Sequence, residues 1–358
     1  MIEAAFAPAR AAVEAGLIPG ATLGVVAADG RRWVMQAGDA AVEPEREPLT
    51  RAHWFDLASV TKVIATTTMV LRLAADGRLG LDRPLTDAMP DLRQYDVAHA
   101  RERRLTFRDC LAHRTHLPAV EPIYTYGADP TTLRAFVLQR EWRAGPPVYS
   151  DINYILLGIG VERLTGAPLS AWPLGPGLAY TPGGPAVATE RCPWRGRVLK
   201  GGVHDENAWA LGGAAGHAGL FGTVDGVLDF ALGLLDGTGA SPAMLAAMRE
   251  RQNGDRTCGW ERRFPGWSGG DVCSDATIGH TGFTGTGLWV DFDRRLAWTL
   301  LTNRVHPSRH TPAAQSIFAL RPATGDAVIA AFASAPVHGE GGREAGGGEV
   351  FTGGPEAA

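Results

Sequence analysis

The chain has 358 residues, 45% of them hydrophobic and 20% charged, with a formal net charge of −4 at pH 7. This is the length of one large domain or two moderate ones, and the composition of a soluble globular protein. The small negative charge gives no general attraction to nucleic acid, no apolar stretch has the length and purity of a membrane span, and the N-terminus lacks the basic n-region and apolar core of a signal peptide. A cytoplasmic protein without nucleic-acid or membrane partners is expected; its oligomeric state is left open.

In chain order, residues 2–15 are alanine-rich with apolar residues at helical spacing, and Gly16 and Pro19-Gly20 end them. Residues 21–28 and 32–36 read as two strands joined by a turn at Asp29-Gly30. A long apolar, helix-compatible run over residues 63–75 then ends at Asp76-Gly77. From Leu79 to about Ala240, helical pieces alternate with Pro- and Gly-rich loops. The basic run Arg101-Glu102-Arg103-Arg104 reads as a solvated helix end. Residues 105–112 form a short amphipathic helix ending in His113-Arg114-Thr115-His116-Leu117-Pro118. No carboxylate cluster lies near His113 and His116 in sequence, so a structural role at a helix end is expected, not a metal site.

Val148-Tyr149-Ser150-Asp151 leads into a helix over residues 152–164, and residues 175–202 read as a long irregular stretch. His204-Asp205-Glu206-Asn207 follows, then a glycine-rich run over 212–222 that enters a helix capped by Thr223. His204, Asp205, Glu206 and His217 are read as loop-ordering residues near a cleft. Strands return near Ile278: Gly279-His280-Thr281-Gly282-Phe283 leads to residues 287–291 and 296–302, paired across a turn at Asp293-Arg294. Residues 312–333 hold helical pieces around Pro322, and the Gly-, Glu- and Ala-rich tail after them is expected to be disordered. The fold class is α/β (α+β), with an α/β part over residues 1–75 and 275–332 and a largely helical part over 76–274. Cys110, Cys192, Cys258 and Cys273 are scattered, which implies neither a zinc site nor a disulfide framework, and no cofactor is called for.

Chemistry concentrates at the start of the 63–75 helix. Ser59 and Lys62 are three residues apart and share one helical face, so the amine reaches the hydroxyl. That is the contact a serine nucleophile needs if its partner is an amine. The chain carries 34 basic residues, yet Lys62 and Lys200 are its only lysines. With nine serines in the chain, only ~0.05 Ser-x-x-Lys matches are expected by chance. Arginine cannot deprotonate and lysine can, so lysine here is informative.

Ser59-x-x-Lys62, then Tyr149-Ser150-Asp151, then His280-Thr281-Gly282 resembles the three-box pattern of the serine β-lactamase and penicillin-binding-protein superfamily. The likeness is to its class C β-lactamase, D,D-peptidase and esterase branch. The stretches 149–158, 203–208 and 216–222 extend it, and it runs in order from about residue 5 to residue 332. The resemblance implies an antiparallel sheet flanked by N- and C-terminal helices, a helical inserted subdomain, and an active site between them. It implies a serine hydrolase that cleaves a small ester, amide or peptide through an acyl-enzyme on Ser59. Lys62 would act as base or lower the energy of the alkoxide, and Tyr149 would shuttle protons. Backbone N–H groups of Ser59 and Phe283 would form the oxyanion hole, with Asp151, His280, Thr281 and Gly282 at the substrate. Asp151 stands where many relatives have asparagine, which removes an amide donor to the substrate and lets Asp151 pair with Lys62, favour its ammonium form and shift the base role toward Tyr149. His280 stands where many have lysine and is not permanently charged, so recognition of a substrate carboxylate is weaker or becomes pH-dependent.

Two rival readings are weighed. Gly266-Trp267-Ser268-Gly269-Gly270 fits the nucleophile elbow Gly-x-Ser-x-Gly, which needs a strand before it and a helix after it. Pro265 precedes it and no helical pattern follows, so it is set aside. The second is a non-turnover acyl sensor on the same fold, in which Ser59 is acylated and stays so.

Overall fold

Seven strands hydrogen-bond into one antiparallel sheet in the order Glu47–Pro48, Arg32–Ala41, Gly20–Ala27, Leu296–Thr302, Gly287–Asp291, Ile278–Thr281, Glu261–Arg262. The computed structural model describes residues 1–332, so the disorder expected of the tail lies outside the described residues. The middle of the sheet joins the two ends of the chain: Ala21 pairs with Thr302 and Val25 with Trp298.

Strand alternation sorts the side chains between two cores. Leu23 and Val25 pack with Trp289, Trp298 and the apolar stripes of the helices Ile2–Glu14 and Ile317–Phe332. Their neighbour Gly24 turns the other way, against Val224 and Leu228 of the helix Val224–Asp236, and Val26 joins the larger core of the helical part. A sheet covered on both faces explains why Gly20–Ala27 and Leu296–Thr302 are buried almost throughout and read as continuous apolar runs.

Three expectations need correction. The second strand continues past residue 36 to Ala41, because Gly38 pairs with Gly20 and Asp39 with Pro48 although this Ala/Gly-rich segment has weak strand propensity. The stretch 175–202 is not irregular throughout: Ala188–Cys192 and Arg197–Lys200 form a hairpin, and Leu178–Ala179 pairs with Phe221–Gly222. The third concerns the run Ala58–Ala75, whose mean hydropathy of 1.2 over 18 residues reaches what a membrane span needs by length and composition. It is 78% buried inside the fold and is a core helix here.

That core helix is not uniform. A 3-10 turn over Ala58–Val60 passes through a π-type segment, Lys62–Thr67, into the α-helix Thr68–Ala75. Thr68 Oγ1 donates to the carbonyl of Val63, five residues back, at 3.1 Å. Thr66 Oγ1 donates to Gly216 O at 2.6 Å and Leu220 N–H to Thr61 Oγ1 at 3.1 Å, which stitches the glycine-rich loop to this helix. Widened turns of this kind gather at functional sites. The helix Asp151–Thr165, with ten buried residues, packs beside it and centres the helical part.

Candidate active site

Ser59 sits half-buried at the first turn of the core helix, and the residue before it is strained. Ala58 has φ of 46°, in the left-handed region that costs a non-glycine residue on the order of 1–2 kcal/mol. Its neighbours hold it there. The buried Asp56 carboxylate accepts from Ala58 N–H at 2.8 Å and from His204 N–H at 2.6 Å. Thr284 Oγ1 donates to Asp56 O at 2.7 Å and Thr286 Oγ1 to Leu57 O at 3.0 Å. One bond within the segment and three from two other loops therefore fix the stretch that aims Ser59.

Lys62 is fully buried, with 0% of its side chain exposed. Its Nζ donates to Ser59 Oγ at 2.8 Å and to His217 O at 3.1 Å, and lies 2.7 Å from Asp151 Oδ1. Burial works against the ammonium form, but the Asp151 carboxylate and Tyr149 outweigh it, so the Lys62 pKa is raised above its ordinary value. Lys62 is thus an ammonium at rest.

Tyr149 closes the group. Its ring centroid is 4.9 Å from Lys62 Nζ, and Lys62 and Ser59 both bear on the titration of its hydroxyl. Burial raises its pKa and Asp151 adds to that, more than Lys62 takes away, so Tyr149 rests as a phenol. His113 packs against it at 4.6 Å between centroids and His280 at 5.9 Å.

His113 is the residue that reading at sequence level placed only at a helix end. It does follow the helix Phe107–Leu111, but with φ of 52° its ring turns in behind Tyr149, and its Nδ1 accepts the Ser150 N–H at 3.0 Å. Burial, with Arg256 and Lys62 nearby, holds its pKa well below the usual histidine value. A left-handed residue other than glycine leaves no sequence signal, which is why the role was missed.

The third box lies on the strand Ile278–Thr281 and the loop after it. His280 is buried, and its Nδ1 lies 2.9 Å from Thr281 O. A carbonyl only accepts, so Nδ1 carries the proton. Burial, Lys62 and Arg256 hold the His280 pKa well below the usual value, so the expected pH-dependent charge is replaced by a neutral ring at ordinary pH. Thr281 is half-buried at the strand end, and Phe283 is 47% exposed at the rim. Gly282 lies so close to the segment before Ser59 that a Cβ there would overlap Leu57 O and Thr286 Oγ1. The buried Arg321, its pKa lowered by burial to about 9, buttresses this loop from the C-terminal helix, donating to Gly282 O at 2.6 Å and Thr286 O at 2.8 Å. Among the described residues, neither Ser59 N–H nor Phe283 N–H donates to a protein acceptor.

Four residues read as loop-ordering form a second ring. Asp205 Oδ1 lies 2.8 Å from His217 Nε2 and caps the helix Glu206–Ala210 by accepting from Ala208 N–H at 2.7 Å. Burial opposes its charge, but His217 overcomes this and holds the Asp205 carboxyl well below the usual range. The carbonyl of His217 is the one that receives Lys62, so the loop orders the site as well as itself. His204 stacks 5.7 Å from Phe283 and lies 3.1 Å from Glu190, while Arg309 Nη2 lies 2.6 Å from Glu206 Oε1. Ser268, by contrast, sits on a loop with no helix after it and accepts from Trp289 Nε1 at 3.2 Å, far from an elbow. Cys110, Cys192, Cys258 and Cys273 are free and buried.

A two-sided antiparallel sheet with a helical part, and a serine–lysine–tyrosine group, define a serine hydrolase. The chain belongs to the beta-lactamase family, whose family model matches residues 7–321. It is 30% identical over 355 residues to an N-acetylmuramyl-L-alanine amidase of Bacillus subtilis (strain 168), covering 82% of this chain and 78% of that protein. It is 28% identical over 304 residues to a putative D-alanyl-D-alanine carboxypeptidase of Salmonella agona (strain SL483), covering 70% of this chain and 69% of that one. A class C beta lactamase from Rhodobacter sphaeroides shares the fold with a TM-score of 0.65 and 21% identity, over 92% of this chain and 99% of that chain.

Proposed function

We propose that this hydrolase cleaves a small amide or ester through an acyl-enzyme on Ser59. The observation that carries the reading is the 2.8 Å contact between a fully buried Lys62 ammonium and the Ser59 hydroxyl, beside Tyr149. Asp151 holds the proton on Lys62, so the proton carrier in this reading is Tyr149. The resting ammonium–phenol pair first releases one proton to solvent, and the pair titrates as a unit. Ser59 Oγ then attacks the substrate carbonyl carbon as its proton passes to the Tyr149 oxygen. The oxyanion sits against the N–H groups of Ser59 and Phe283, and Lys62 steadies the serine oxygen. Collapse breaks the bond to the leaving amine or alcohol, which takes the proton from Tyr149. Water reverses these steps and frees the acid.

The neutral His280 favours substrates without a carboxylate at that position over β-lactams. The kinship with a protein named as an amidase supports an amide bond as the target. A panel of short-chain esters, D-amino-acid amides, muramyl-peptide amides and β-lactams, followed by intact-protein mass and product release, tests this. An acyl adduct with steady turnover on an amide or ester is expected. A burst that stops with the protein fully acylated would make it a sensor, and no adduct with any member would remove the acyl-enzyme.

A further inference from the structure

We propose that Arg256 is a positioning residue for Tyr149, a second cation beside its ring that stabilises the phenolate while the proton is in transit. This rests on Tyr149 as the proton carrier. The guanidinium carbon lies 4.9 Å from the Tyr149 ring centroid, the same distance as Lys62 Nζ. The two cations are not equivalent. Lys62 is compensated at 2.7 Å by Asp151, so its charge acts on Tyr149 together with a carboxylate. Arg256 approaches from the segment after the helix Pro242–Arg249, and one edge of its guanidinium is anchored 3.0 Å from Glu261 Oε1. Burial works against the charged form of Glu261, which limits how far it offsets the arginine.

The Tyr149 hydroxyl answers first to burial, Lys62 and Asp151, and Arg256 acts on it from the ring face. The charged and titratable groups around Tyr149 are Lys62 from the core helix, Asp151 and Tyr154 from its own helix, His113, His280 and Arg256, with Glu261 behind the last and Asp255, paired with Arg251, on the same pocket wall. Both histidines are held neutral, and Arg256 contributes to that in each case. Its reach therefore covers the whole aromatic cluster. Arg256 also lines an open pocket of about 200 Å³ with His113, Tyr149, Asn253, Glu261 and Phe264, so its guanidinium is not filling a packed core. A cation over an aromatic face gains from the ring's electron density, and more once the ring becomes a phenolate.

The experiment uses the full chain and follows acylation by a neutral ester between about pH 5 and 10. Removing a positive charge disfavours loss of the proton, so Arg256→Gln should move the rising limb of the rate upward by ~1 pH unit. The rate at neutral pH should fall ~10-fold with KM within about twofold. Arg256→Lys should recover most of the rate. If Arg256→Gln folds poorly with Glu261 unpaired, the double variant Arg256→Gln/Glu261→Gln should still move the limb upward relative to Glu261→Gln alone, the comparison that isolates the arginine's charge. An unmoved limb with only a lower melting temperature would reduce Arg256 to a structural ion pair and overturn the proposal. So would a rise in KM confined to substrates bearing a carboxylate. Tyr149→Phe separates the two claims: if it leaves the rate intact, the proton-carrier reading has failed. If it slows the enzyme but Arg256→Gln moves nothing, only the present inference has failed. In the Tyr149→Phe background, Arg256→Gln should add no further shift.

Discussion

Replacing Asp151 with asparagine tests the electrostatics of the site with little change of shape. In the parent, the carboxylate 2.7 Å from the fully buried Lys62 keeps the ammonium form in place, and the raised Lys62 pKa contributes stability below the unfolded lysine value. That contribution is lost only as pH rises through the still higher folded value. Without the carboxylate, a buried ammonium is left uncompensated, at a cost of about 3–5 kcal/mol for the broken pair. The alternative is to shed the proton. At about pH 7.5, taking a proton from a lysine of unfolded pKa ~10.4 costs about 4 kcal/mol, and at about pH 9 it costs about 2 kcal/mol. The deprotonation route therefore sets the ceiling, and the amide oxygen, which still accepts a hydrogen bond, brings the values down. Asp151→Asn should lose up to about 4 kcal/mol near pH 7.5 and no more than about half of that near pH 9. Chemical denaturation at the two pH values reads this directly. In the same variant, removing a negative charge beside the Lys62–Tyr149 pair favours loss of its proton whichever group holds it. The rising limb of acylation against pH should move down by about 2 units, from about 3 kcal/mol at 1.36 kcal/mol per unit. A stability loss independent of pH, with an unmoved limb, would refute the reasoning.

Two further substitutions follow from the same geometry. Tyr149→Phe keeps the ring against His113 and removes the hydroxyl, and should slow turnover by ~10²-fold or more with the melting temperature nearly unchanged; an unaltered rate would leave Tyr149 a packing residue. Gly282→Ala forces a methyl group into Leu57 O and Thr286 Oγ1, and backbone oxygen cannot give way cheaply. It should cost about 1–3 kcal/mol and, by parting the Ser59 and Phe283 donors, slow acylation by ~10²-fold, as stopped-flow acylation and thermal melts would show. A rate within twofold of the parent would mean that the close approach does not matter.

Much of the fold and site was legible because the signals are local. The Ser59-Lys62 spacing, the lysine scarcity, the glycine of the third box and the strand turns at Asp29-Gly30 and Asp293-Arg294 each follow from neighbours in sequence. What was not legible depends on contacts far along the chain. The π-type turn after Lys62 and the left-handed Ala58 exist because loops from residues 204, 216 and 284 pin them. His113 and Arg256 converge on Tyr149 from positions 36 residues before it and 107 after it, and no motif links them. The pairing of Asp151 with Lys62 and its preference for the ammonium are legible in the sequence, but the complete burial set against them is not.

Every step of the proposed reaction passes through Ser59. Incubation of the parent, Ser59→Ala and Ser268→Ala chains with a fluorophosphonate, followed by intact mass and peptide mapping, addresses it most directly. One adduct is expected on the peptide bearing Ser59, undiminished in Ser268→Ala and absent from Ser59→Ala, whose ester hydrolysis should also vanish. An adduct that survives Ser59→Ala, or that maps to Ser268, would contradict the assignment of Ser59 as the nucleophile.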